Sequence, residues 1–147
     1  MNQKNDGSIK AIYSFQPGKK LERPLMGSKI VAGFPSPAQD YIEGKLDLNE
    51  HLITHAASTF FVRVDGYSMM GAGILPDDIL IVDRALEAAH NRVIIAIVDG
   101  ELTVKRLKIV GKDYYLMPEN EEFPSIHIHE GINFELWGVV TYVIHKV

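Results

Sequence analysis

The feature that most constrains the fold is the dipeptide Asp99-Gly100, which separates two runs of apolar and β-branched residues. Asp-Gly is typical of the two-residue turn that joins adjacent antiparallel strands. Residues 93–98 and 101–110 are therefore predicted to pair as a β-hairpin. Both runs are rich in aliphatic side chains, so we expect the hairpin to lie in the core and to bury the stem of Lys105.

The chain after residue 58 is rich in further strand signals. Runs of aromatic and aliphatic residues alternate with Gly, Pro, Asn and Asp, as in proteins built from short antiparallel strands. The predicted fold is mainly β, a curved antiparallel sheet assembly. Its strands are predicted at residues 60–64, 79–82, 93–98, 101–110, 114–117, 126–128 and 134–145.

Two short helices are predicted before these strands. Ser36 is a suitable N-cap and Pro37 a suitable first residue for a helix that runs toward Gly44. A second helix is predicted to begin at Asp47 and to continue through His55, because its apolar residues recur with helical spacing. Both helices are expected to pack against the sheet.

The N-terminal segment is predicted to be an extended arm (residues 1–32) attached to a body (residues 33–147). The arm is interrupted by Pro17, Gly18 and Pro24, so it cannot supply the packed helices of a helix-turn-helix module. It holds six basic and two acidic residues, a net charge of +4, whereas the body holds nine basic and 17 acidic residues, a net charge of −8. An acidic body is expected to attract the arm and to reach DNA only through partners.

A lysine in the second strand of the hairpin is a candidate base. With a period of two, Lys105 shares its strand face with the aliphatic residues Leu107 and Ile109. An amine in such surroundings is disfavoured in its charged form, and a neutral lysine is a base. Thr103 lies on the same face, where its hydroxyl can orient the amine. The alternative is a lysine whose long side chain reaches water.

A serine after the first strand is a candidate nucleophile. The apolar run at residues 60–64 ends before Gly66, and Ser68 follows at a sharp break, where a hydroxyl can stand clear of the backbone. Beside a neutral Lys105, this hydroxyl would lose its proton and attack, which is the Ser-Lys form of nucleophilic catalysis. The Ser68 amide is the expected oxyanion donor. An ordinary turn without catalytic function is the alternative.

Three short motifs carry a family resemblance: Gly66-Tyr67-Ser68-Met69, Gly73-Ile74 followed by Asp77-Asp78, and Thr103-Val104-Lys105-Arg106-Leu107. Together they resemble the LexA and UmuD family of self-cleaving serine peptidases. The segment Ala32-Gly33-Phe34-Pro35-Ser36-Pro37-Ala38 is similar to the self-cleavage segment of the UmuD branch. The first motif departs from the family at Tyr67, where an aspartate or a methionine is usual.

The resemblance assigns roles to residues of this chain. It implies that Ser68 is the nucleophile, that Lys105 is the general base and that the peptide bond between Ala32 and Gly33 is cut. The arm is then the cleavable segment, and the body is the Ser-Lys peptidase and dimerisation domain. No cofactor is implied.

The resemblance also implies partners. Cleavage is expected to be stimulated by a RecA filament on single-stranded DNA during the SOS response. The processed form is expected to be a homodimer that serves as accessory subunit of an error-prone, UmuC-like polymerase in translesion synthesis. Contacts with DNA are expected only through these partners.

Composition and the histidines exclude several other sites. The chain has no cysteine, which excludes disulfides, thiolate catalysis and a cysteine zinc site, and it has no apolar run of about 20 residues, so we expect a cytoplasmic protein without a membrane span. His127 and His129 lack a third ligand, and no metal site is predicted.

The sequence leaves three alternatives to the Ser-Lys site. The first is a Ser-His-Asp catalytic site. The others are a signal-peptidase-like enzyme that acts on external substrates and a non-enzymatic β-rich interaction module.

Overall fold

The structure, a computed structural model, describes residues 8–20, 22–26 and 42–147. Its strands are β1 (Ser8–Ser14), β2 (Glu22–Met26), β3 (Ile42–Asp47), β4 (Thr59–Asp65), β5 (Ile79–Asp83), β6 (Val93–Val98), β7 (Glu101–Val110), β8 (Asp113–Met117), β9 (Ile126–Ile128) and β10 (Phe134–Ile144). Eight of them form one antiparallel sheet in the order β1-β4-β5-β10-β6-β7-β8-β9. Since β1 also pairs with β7, the sheet curls back on itself. β2 and β3 pair in a second sheet.

The predicted mainly β fold is confirmed. β6, β7 and β9 have the predicted bounds, and each of the other four predicted strands differs by one residue at one or both ends. Asp99 and Gly100 have φ angles of 48° and 84°. Positive values at both central residues are those of the turn that Asp-Gly favours, and they place Val98 opposite Glu101.

One of the two helix predictions is wrong at its C-terminal end. Where the helix was expected to run toward Gly44, residues 42–47 form strand β3, because they pair with β2; residues 36–41 lie outside the described residues. The helix predicted from Asp47 is confirmed as α1 (Leu48–Leu52), in which the Asn49 amide donates to the Asp47 carboxylate as an N-cap. It ends three residues earlier than predicted. No helix in the described part of the chain is long and apolar enough to cross a membrane.

The structure divides into two compact units. One contains β2, β3 and α1 and spans residues 16–54, and the other contains the eight-stranded sheet. Residues 8–14 of the predicted arm belong to this sheet as β1, which the sequence patterns did not predict. β1 runs antiparallel to β4, and Lys10 Nζ donates to Asp77 Oδ1 at 3.0 Å. Part of the arm is therefore a strand of the main sheet.

The hydrophobic core of the described residues consists of two buried clusters. Alternation along β6 sends Ile95 to one cluster and Ile94 to the other. β7 contributes Val104 to the first cluster and Leu107 to the second. The strand that carries Lys105 is therefore packed on both faces, which fixes its backbone.

Candidate active site

Lys105 projects from β7 into the interior, with only 2% of its surface exposed. In the hairpin register it lies opposite Ile94. Its Nζ donates to Ser68 Oγ at 3.0 Å and to Thr103 Oγ1 at 3.0 Å. The structure thus brings together the three side chains that the sequence singled out, with the amine between the two hydroxyls.

Ser68 lies in a turn that leaves the end of β4, which we call the nucleophile turn (residues 66–72) because it carries the predicted nucleophile. Gly66 has a φ angle of 122°, in a region that a residue with a Cβ rarely adopts. Met69 packs in the first core cluster, which anchors the turn to the core. Ser68 is fully buried rather than clear of its surroundings, because other parts of the chain cover it.

Sequence reasoning missed Glu119, which holds the nucleophile turn through its backbone. The Glu119 amide donates to the Ser68 carbonyl at 2.7 Å, and the Gly71 amide donates to the Glu119 carbonyl at 2.7 Å. Asn120 Nδ2 donates to the Tyr67 carbonyl at 3.0 Å. These bonds join segments about 50 residues apart, so no local pattern in the sequence indicates them.

The close approach of the nucleophile turn to the backbone of Glu119 depends on Gly71. A Cβ on Gly71 would lie 2.6 Å from the Glu119 carbonyl oxygen, well inside van der Waals contact. That oxygen belongs to the backbone and has little freedom to move. Glycine is therefore required at position 71 for the turn to pair with residue 119.

The arrangement is chemically suited to removing the serine proton. A lysine amine has a lone pair only when it is neutral, and burial disfavours the charged form. A neutral Nζ can accept the Ser68 hydroxyl proton while one of its own N–H groups donates to Thr103. All buried side-chain nitrogen and oxygen atoms in the described residues have a hydrogen-bond partner. The amine is therefore held in a satisfied polar site within an apolar strand.

The predicted scissile residues, Ala32 and Gly33, lie outside the described residues.

Among the described residues, the only side-chain hydrogen bond to Ser68 Oγ comes from Lys105, so no histidine completes a Ser-His-Asp site with it. His55 Nδ1 lies 2.6 Å from Asp83 Oδ2, and Ser58 Oγ donates to Asp83 Oδ1 at 2.7 Å. In this group the carboxylate stands between histidine and serine, whereas a catalytic triad needs the histidine in the middle. The described residues contain no group of three or more His, Cys, Asp or Glu side chains suited to holding a metal ion.

Burial and hydrogen bonds within this group act in opposite directions on the pKa of the Asp83 carboxylate. Burial opposes its ionisation, but hydrogen bonds from His55, from the Ala85 amide and from Ser58 outweigh that effect. The pKa of Asp83 is consequently lowered from its ordinary value. Asp83 ends β5 and ties it to the segment before β4, which is a structural role.

Comparison with known proteins places the chain among peptidases. Residues 24–141 match the family described as peptidase S24-like. The chain is 45% identical over 126 residues to protein ImpA of Salmonella typhimurium, covering 84% of each chain. It is 42% identical over 120 residues to protein MucA of Escherichia coli, covering 81% of this chain and 82% of the relative. The LexA repressor of Idiomarina loihiensis is 39% identical over 106 residues, which span 72% of this chain and 51% of the repressor.

Proposed function

Because the chain is a UmuD-like member of the peptidase S24-like family, we propose that it is a serine endopeptidase that cuts its own Ala32-Gly33 bond with Ser68 and Lys105. That membership confirms the resemblance drawn from the three motifs. The observation that supports the proposed dyad most is the distance of 3.0 Å between Lys105 Nζ and Ser68 Oγ, with both side chains buried. This distance permits direct proton transfer.

The reaction begins with a neutral Lys105. Nζ takes the proton of Ser68 Oγ while Oγ forms a bond to the carbonyl carbon of Ala32, and the carbonyl oxygen becomes an oxyanion. The Ser68 amide is the proposed donor to this oxyanion. When the tetrahedral intermediate collapses, the Lys105 ammonium returns its proton to the Gly33 nitrogen, which leaves as a new N-terminus. Water then hydrolyses the ester between Ala32 and Ser68.

Thr103 has the proposed role of orienting the base. Its Oγ1 accepts one N–H of Lys105 at 3.0 Å, which leaves the lone pair of a neutral amine free to point at Ser68. The two residues are neighbours on one face of β7, so the strand itself sets their spacing. Thr103 acts through Lys105 and is a positioning residue.

The wider role proposed for the chain follows from the family. Cleavage separates the arm from the body under stimulation by a RecA filament on single-stranded DNA in the SOS response. The processed body forms a homodimer and assists an error-prone, UmuC-like translesion polymerase in the cytoplasm, with DNA contacts made by the partners. The chain's acidic body supports this indirect relation to DNA.

The test compares two serine variants after incubation at pH ~10, where even an ordinary lysine has begun to lose its proton. Ser68→Ala is expected to stay intact, whereas Ser58→Ala, which removes the hydroxyl bonded to Asp83, is expected to yield the 33–147 fragment by mass spectrometry. Cleavage of Ser68→Ala at the wild-type rate would refute the nucleophile. A Ser58→Ala chain that folds normally but stays intact would indicate that Ser58 is the nucleophile.

A mixing experiment separates attack within one chain from attack between chains. A Ser68→Ala chain lacks the nucleophile, and a tagged Gly33→Val chain lacks a good substrate bond because a β-branched residue crowds the leaving group. Cutting of the Ser68→Ala chain in the mixture means attack between subunits. An intact Ser68→Ala chain in demonstrated heterodimers means attack within one subunit.

A further inference from the structure

Arg106 is next to the proposed base in sequence but faces the other way. Alternation along β7 directs Lys105 and Arg106 to opposite faces of the strand. The Arg106 Nε donates to Glu119 Oε1 in a short ion pair, and its Nη1 donates to the Asn91 carbonyl at 2.5 Å. About a third of each partner's side chain is exposed, 32% for Arg106 and 33% for Glu119. The pair is therefore half-buried and held at two points.

Glu119 connects this ion pair to the nucleophile. Its amide and carbonyl make the two 2.7 Å hydrogen bonds that hold Ser68 and Gly71. Its carboxylate is held by Arg106, a residue of the same strand as Lys105. A single residue thus links the backbone of the nucleophile turn to the strand that presents the base.

We infer that Arg106 and Glu119 are positioning residues that set the distance between the Ser68 hydroxyl and the Lys105 amine. The inference rests on the proposed function, since it concerns the rate of the same serine attack. Ser68 is carried by a turn and Lys105 by a strand. The distance between Ser68 Oγ and Lys105 Nζ therefore depends on how closely the backbone of the turn is held to the backbone of β7. Arg106 fixes residue 119 against β7, and residue 119 fixes the turn.

The expected effect is on rate, since displacing a reacting group by about 1 Å can slow a reaction about 100-fold. Glu119 keeps its two backbone hydrogen bonds when Arg106 is replaced, so we expect a smaller loss, about tenfold, in Arg106→Gln and in Glu119→Gln. The amine keeps its own surroundings in both variants. Their pH-rate profiles should therefore keep the wild-type midpoint and be lower at every pH.

The experiment measures the first-order rate of self-cleavage of the full chain at 25 °C, together with the thermal midpoint of each variant. The matched controls are Lys108→Gln, which removes a positive charge from an exposed residue on the same face of β7, and Glu121→Gln, which removes an exposed carboxylate two residues after Glu119. Both controls should cleave at the wild-type rate. Arg106→Lys, which retains the charge without the planar donor group, should fall between wild type and Arg106→Gln.

A double variant gives the decisive result. If the two residues act as one unit, Arg106→Gln/Glu119→Gln should cleave no more slowly than the slower single variant. A double variant slowed by the product of the two single effects would overturn the inference, as would single variants that lose thermal stability but cleave like the controls. A wild-type chain that does not cleave at all would instead overturn the proposed function, and the inference with it.

Discussion

Replacing Lys105 by methionine should abolish self-cleavage and remove a pH dependence from the free energy of unfolding. Lys105 is 2% exposed, and methionine has a similar length and no charge. The substitution therefore removes the proposed base while filling the same space.

The magnitude follows from the protonation states. A lysine in the unfolded chain keeps its proton up to pH ~10.4, and burial that lowers the pKa of Lys105 costs the folded protein about 1.36 kcal/mol for each pH unit, at most about 4.6 kcal/mol at pH 7. Methionine avoids this cost but leaves the buried hydroxyls of Ser68 and Thr103 without their amine partner, which costs about 1–3 kcal/mol each. Lys105→Met is thus more stable than its parent by at most about 2.6 kcal/mol at pH 7.

The stability of Lys105→Met relative to its parent should fall as the pH rises. Above the lowered pKa of Lys105 the folded lysine protein binds fewer protons than the unfolded chain, so its free energy of unfolding increases with pH up to about 10.4. The methionine variant has no such contribution. Between pH 7 and pH 9.5 the variant should therefore lose stability relative to the lysine protein.

Urea unfolding at pH 7 and pH 9.5 measures this difference. Both chains should carry Gly33→Val, so that neither is cut during the experiment. Lys108→Met is the matched control, because Lys108 is an exposed lysine on the same strand and should give a small difference at both pH values. A gap between the free energies of unfolding of the two chains that does not change between pH 7 and pH 9.5 would refute the buried amine of lowered pKa.

Three further predictions test other parts of the structure. Gly71→Ala should slow self-cleavage at least tenfold, because its Cβ meets the Glu119 carbonyl at 2.6 Å; a wild-type rate in a folded variant would contradict this. The lowered pKa of Asp83 contributes stability that is complete above the unfolded value of about 3.9 and is lost as the pH falls through the lower folded value. The thermal midpoint of wild type should therefore fall more between pH 6 and pH 2 than that of Asp83→Asn, and equal falls would contradict it. After cleavage the arm should remain bound through β1 in native mass spectrometry and separate in urea; immediate dissociation at micromolar concentration would contradict the pairing of β1 with β4.

The parts of the site that the sequence predicted are those set by local rules. The turn at Asp99-Gly100 fixes the hairpin register, and that register together with strand alternation puts Thr103 and Lys105 on one face. The break after Gly66 likewise requires a backbone angle that glycine accepts. Each of these features depends on residues only a few positions apart.

The parts that the sequence did not predict depend on distant partners. Strand β1 exists because β4, about 50 residues away, offers it a free edge. Ile42 and Gly44 lie in a strand because β2 pairs with them, although the cap at Ser36 favours a helix. Glu119 could not be recognised because it acts through backbone atoms, which every residue type possesses.

The most direct test of the Ser-Lys assignment is the rate at which the purified wild-type chain releases a fragment beginning at Gly33, measured from pH 7 to pH 11. The rate should rise with pH as Lys105 loses its proton and reach a plateau below the pH at which an exposed lysine titrates, about 10.4. A rate that does not change across this range, or a product whose N-terminus is not Gly33, would contradict it.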